Sequence, residues 1–185
     1  MNFQIKKTYI PLAEKLAFAE YCGSRCFDRM EIHASDGGEN VPMPPMYKEN
    51  AGLKMRYLMG ALVKLYLGLD YEPVEGDEWL LSQDDYDRFA AMHPLNALER
   101  MKSEKDKRDR VFDMMADYKA LEKIVNAEVY GLLQVMNEPT NRIMAMFSAQ
   151  STPEAMQQAA DAMAQAKAEM DAFLKDRAEK ADSKE

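Results

Sequence analysis

The sequence predicts a mainly α fold: a small helical bundle with a long central helix, an amphipathic C-terminal helix and a short N-terminal strand or extended arm. Three observations predict it. Apolar residues recur at intervals of three and four along several segments, the signature of helices with one buried face. Prolines and glycines gather mostly between those segments. The apolar share of 47% beside a charged share of 30% is ordinary for a folded domain. A chain of this size buries about 70% of its unfolded surface, so no metal or disulfide is needed to hold it together.

Phe3 and Ile5 alternate with Gln4 and Lys6, which permits the short strand. Pro11 suits the first turn of a helix, and Leu12, Leu16, Ala19, Cys22 and Cys26 continue it to about Met30. Residues 34–46 hold two glycines and three prolines, which exclude a helix or a central strand and predict a loop. Met43 and Met46, set among the prolines of that loop, are candidate partner-binding residues. Asn50 can cap a helix running to about Gly68, apolar around most of its circumference and therefore central. Tyr71 to Gly76 form a turn. Ser82 and Asp85 make a variant capping box for a short helix ended by His93-Pro94, and another short turn follows through Met101.

A long helix is expected from about Lys107 to Met136, with Val111, Met114, Tyr118, Leu121, Val125, Leu132 and Val135 on one stripe and Pro139 stopping or kinking it. Ile143, Met144, Met146 and Phe147 follow as a compact apolar segment, either core or docking patch. The last helix has Thr152 as N-cap and Pro153 at its first position. Met156, Ala159, Met163, Ala166, Met170 and Phe173 form its narrow seam. So narrow a stripe of Met and Ala buries little area alone and needs a partner surface, in the same chain or another. These spacings divide the chain into a helical domain, 1–148, and an amphipathic C-terminal helix with a frayed polar tail, 149–185.

Charge and motifs narrow the function. The balance of 24 Lys and Arg against 32 Asp and Glu gives a net charge of -8, which opposes nucleic-acid binding. The densest basic run, Lys102 to Arg110, is interleaved with Glu104, Asp106 and Asp109. Cys22 and Cys26 read as reduced, partly buried thiols, and His33 and His93 lie too far apart in sequence to complete a metal site with them. The acids Asp84, Asp85 and Asp87 complement the dipole at a helix start and lack the spacing of a calcium loop. No secretory or membrane-spanning run stands out: Leu53 to Leu69 is interrupted by Lys54, Arg56 and Lys64, and a cytoplasmic protein is expected. Phosphate-binding glycine loops, a nucleophile elbow and Glu-x-x-His pairs are all missing, so the sequence predicts no catalytic, cofactor-binding or metal-binding residues.

The opening Ile5-Lys6-Lys7-Thr8-Tyr9-Ile10-Pro11-Leu12-Ala13-Glu14-Lys15, the central Tyr57-Leu58-Met59-Gly60-Ala61-Leu62-Val63-Lys64-Leu65-Tyr66 and the acidic Asp84-Asp85-Tyr86-Asp87 carry a resemblance. In pattern the chain resembles small helical proteins of the tail and morphogenesis modules of siphophages and prophages. That resemblance implies a non-enzymatic assembly factor or virion component, acting through contacts with phage structural proteins in tail or head-tail morphogenesis. The Met and Ala-rich C-terminal helix departs from the shorter proteins of that group. Candidate partner-binding residues are Met43, Met46, Met156, Met163, Met170 and Phe173, with self-association through the last helix as one use of them. Two alternatives stand beside this one: a bacterial regulatory adaptor binding one host protein, and a helical bundle that binds or transforms a small molecule.

Overall fold

The computed structural model describes residues 5–36, 39–69, 71, 73–92, 105–149 and 153–182. Helix accounts for 71% of them, so the fold is mainly α. In chain order the elements are α1 (Leu12–Gly23), β1 (Phe27–Met30), β2 (His33–Asp36), β3 (Glu39–Pro42), β4 (Met46–Glu49), α2 (Ala51–Ala61), a π-helical turn (Leu62–Leu67), β5 (Pro73–Val74), β6 (Asp77–Leu81), α3 (Gln83–Met92), α4 (Lys105–Ala149) and α5 (Pro153–Asp182). The chain forms two compact units, each discontinuous in sequence: Met1–Gly23 with Ala51–Ala127, and Ser24–Asn50 with Glu128–Glu185. The boundary at 148 and 149 suggested by the sequence falls inside the second unit. The N-terminal residues before Ile5, the Thr152 cap and the turn from Pro94 to Met101 lie outside the described residues.

In the first unit, α2 and the π turn bury Tyr57, Leu58, Ala61, Leu62, Val63, Tyr66 and Leu67. Their near-continuous apolar surface makes them central, as the sequence predicts. Gly60 lets β6 come close: a β-carbon there would stand 2.2 Å from the Trp79 carbonyl oxygen. The π turn ends at Gly68, whose φ of 58° is the left-handed conformation that glycine adopts without strain. The carbonyl of Tyr66 takes hydrogen bonds from the N–H groups of Lys6 (2.8 Å) and Lys7 (3.2 Å), so the N-terminal arm is tied to this turn.

A second cluster joins Val63, Leu81 and Phe89, with Met59, Leu69, Tyr71 and Tyr86 against it. The β5–β6 hairpin presents Leu81 to that cluster, and Arg56 Nε donates to the Leu81 carbonyl at 2.8 Å. Ser82 caps α3 as expected, its Oγ accepting the Asp85 N–H at 3.1 Å. Asp85 then pairs with Arg88 one turn on, at 2.9 Å.

Four expectations are corrected. Helix α1 stops at Gly23, and Phe27–Met30 is a strand, because these residues pair antiparallel with Met46–Glu49. The buried face of α1 is also rotated. Leu12 and Leu16 are 58% and 51% exposed, while Lys15, Phe18, Ala19 and Cys22 face inward. A lysine can occupy that inner face because it meets the buried carboxylate of Asp117.

The stretch 34–46 is no simple loop. Residues 33–36 and 39–42 form a hairpin with His33 opposite Pro42, and β4 begins at Met46. A two-stranded ribbon has only edge strands, where a terminal proline costs no ladder bond. Finally, α4 runs on through Pro139 to Ala149. Proline leaves the Val135 carbonyl without its helical donor, and Val135 is 51% exposed, on a side where water can satisfy it.

Candidate protein-docking groove

The second unit is organised by the later part of α4. Leu132, Met136, Thr140 and Ile143 succeed one another at steps of four, four and three, and all are buried. Leu132 and Met136 form a cluster with Met170 of α5, against which Phe27, Tyr47, Phe173 and Leu174 pack.

Strand β4 and the two prolines before it are fastened to α4 by side chains. Asn137 acts as a substitute strand: its Oδ1 accepts the Tyr47 N–H at 2.8 Å and its Nδ2 donates to the Tyr47 carbonyl at 2.9 Å. One turn-step on, the buried Thr140 hydroxyl shares its one proton between the carbonyls of Pro45 (3.1 Å) and Pro44 (3.3 Å). Prolines cannot donate, so this stretch offers only acceptors, and a buried hydroxyl is the group that satisfies them. Burial raises the Tyr47 phenol above its ordinary pKa, with Arg29 opposing the shift and Asp171 adding to it.

Beside this core lies an open groove of about 500 Å³. Val135, Met136, Pro139 and Ile143 of α4 form one wall, and Ala162, Ala166, Met170 and Phe173 of α5 form the other. Ala162 and Ala166 carry only methyl groups, too short to extend across it. A smaller hollow of about 270 Å³ shares Met136 and Phe173 and reaches Arg25 and Phe27. The polar residues at the larger groove pair with one another. Arg142 donates to Glu138 on the same helix, and Gln165 Nε2 donates to Glu169 Oε1 at 3.1 Å. The floor is therefore apolar and the rim charged, the pattern of a surface that receives another apolar segment.

Of the residues proposed from sequence, Met170 and Phe173 meet at this groove. Met43 and Met46 are half-buried, on either side of the buried Pro44 and Pro45, which are anchored on Thr140. The side chains of Met156 and Met163 lie outside the described residues. Sequence reasoning missed the α4 wall as a site. Pro139 reads in the sequence as a helix stop or kink and Ile143 as part of an apolar segment that is either core or docking patch, and nothing local shows that they face Ala162 and Ala166.

A second polar constellation sits in the first unit. Asp117 Oδ2 accepts the Ile10 N–H at 2.9 Å and the Tyr66 hydroxyl at 2.8 Å, while Oδ1 takes the Lys15 ammonium. Lys15 also lies 4.9 Å from the centre of the Tyr9 ring. Burial raises the Tyr66 phenol well above its ordinary pKa, and its hydrogen bond to Asp117 raises it further. Each donor points at the carboxylate, so the arrangement works as a clamp joining the arm, α1, the π turn and α4.

Cys22 and Cys26 are both buried and in no disulfide. Among the described residues no three His, Cys, Asp or Glu side chains gather as a metal site would require, and no helix is long and apolar enough to cross a membrane. No protein-family model, curated protein or solved structure gives a significant match to the chain.

Proposed function

We propose that this chain is a non-enzymatic protein-docking factor that engages a partner through the α4–α5 groove. The resemblance in its opening and central segments directs the reading to phage assembly, as a morphogenesis factor or virion component of the tail or head-tail junction. One observation carries the docking reading: an open apolar groove whose walls are Val135, Met136, Pro139 and Ile143 on one side and Ala162, Ala166, Met170 and Phe173 on the other. Methionine and alanine suit such a surface, since Met adapts its shape and Ala leaves room. A small-molecule site would aim several unpaired polar groups into the hollow, whereas here Glu138 is tied to Arg142 and Gln165 to Glu169.

Affinity capture from an induced lysogen that encodes the chain tests the proposal. Tail or head-tail structural proteins should co-purify with the tagged chain and be lost when Met170 is changed to Glu in an otherwise folded protein. Recovery of a host regulatory protein instead would favour the adaptor alternative, and recovery of no partner would overturn the docking reading.

A further inference from the structure

We propose that the occupant of the α4–α5 groove is a basic amphipathic helix of a partner protein, an inference that rests on the docking reading and specifies its partner. Its helicity follows from the walls. Both are α-helices, whose backbone N–H and C=O groups are paired within each helix apart from the Val135 carbonyl that Pro139 leaves without its donor, so the groove offers no ladder of donors and acceptors to an extended strand. A segment that enters must satisfy its own backbone, and only a helix does so locally.

The length also fits. On α4 the wall runs through Val135, Pro139 and Ile143 at successive steps of four. That is a rise of about 12 Å, enough for two to three turns of an occupant bearing apolar anchors at i, i+4 and i+7.

The sign of its charge follows from the surroundings. The second unit carries nine Lys and Arg against fifteen Asp and Glu, most of the net charge of -8. Glu138 and Glu169 stand on opposite walls, and among the described residues lining the groove the one cation, Arg142, is held in its ion pair with Glu138. On α5, four exposed acids, Asp161, Glu169, Asp171 and Asp176, outnumber two exposed lysines, Lys167 and Lys175, among the described residues. Lys and Arg flanking an apolar stripe are drawn to this rim, and acidic flanks are repelled. The same repulsion disfavours a second copy of this acidic chain as the occupant.

The test uses the full chain and three labelled synthetic peptides read by fluorescence anisotropy: an amphipathic Leu/Lys helix, the same peptide with Glu for every Lys, and a Leu/Lys scramble broken by proline. The Leu/Lys helix should bind, weaken at high salt and outcompete the other two. Ala166→Phe, which fills the groove without changing charge, should weaken binding at least about tenfold while circular dichroism and thermal unfolding stay as in the parent. Ala162→Leu serves the same purpose should the first variant fail to fold. Equal binding of the Glu peptide or the scramble, no binding of any peptide, or binding indifferent to both variants overturns the inference. So does a dimer in sedimentation that Ala166→Phe dissolves. If the peptides fail while Met170→Glu still abolishes capture of a phage protein, docking stands and only the basic helical occupant is refuted.

Discussion

Replacing Asp117 with Ala should be among the most damaging single changes in the first unit. Lys15 and Asp117 have side chains only 6% and 9% exposed, and the carboxylate also holds the Ile10 N–H and the Tyr66 hydroxyl. Its removal strands a buried ammonium, which costs about 3–5 kcal/mol when one member of a buried pair is deleted. For a chain of this length that corresponds to a fall in Tm of about 6–20 °C. Lys15→Met leaves the carboxylate with two donors and should cost less, about 1–3 kcal/mol. The double variant should fall well short of the sum, because the second change removes a charge that the first had left unpaired. Trp79 is the only tryptophan and lies in the first unit, so urea unfolding followed by its fluorescence reports on this unit alone. A cost below about 1 kcal/mol for Asp117→Ala, the value of an exposed pair, would refute the clamp, as would strict additivity in the double variant.

Three further outcomes are expected. Thr140→Val keeps the shape of a fully buried side chain but removes the hydroxyl that the Pro44 and Pro45 carbonyls share, costing about 1–3 kcal/mol by far-UV circular dichroism in urea. Gly60→Ala sets a β-carbon against the Trp79 carbonyl and should lose about 1–3 kcal/mol or more, seen as an earlier Trp79 unfolding midpoint. Tyr71 is pushed up from 10.0 to about 12, first by burial and then by Glu78 and Asp77. Because the folded phenol ionises later than the unfolded one, its contribution is complete below pH 10 and is lost as the pH climbs toward 12. Burial moves Tyr66 and Tyr118 in the same direction, so stability should decline above pH 10, with tyrosinate absorbance rising in step with unfolding. Tyr71→Phe should make that alkaline decline shallower.

The α2 stripe and the α4 stripe from Val111 to Leu132 were legible because each needs only local information: apolar residues at three-four spacing commit a helix face. The stripe's last expected member, Val135, is instead 51% exposed and Met136 is buried in its place. The Ser82 cap and the glycine stop at Gly68 are equally local. The α1 face was not. Leu12 and Leu16 make the better apolar stripe, yet Lys15 lies inside because its charge is answered by Asp117, over a hundred residues away. The strands β1 and β4 were hidden for the same reason. Phe27–Met30 is a short run whose ladder partners lie beyond the β2–β3 hairpin. The candidate site divides likewise: Met170 and Phe173 announced themselves by spacing, whereas Val135 and Ala162 gave no sign of sharing a groove.

Sequence alone determined the helical class, the acidity and the places where helices begin, because propensity, capping and periodicity act within a few residues. Only tertiary structure decided which face of α1 is buried, that the proline-rich stretch is an anchored ribbon, and that α4 and α5 leave a groove between them. Those outcomes depend on buried partners distant in sequence, and a buried charge or carbonyl is tolerable only where such a partner meets it.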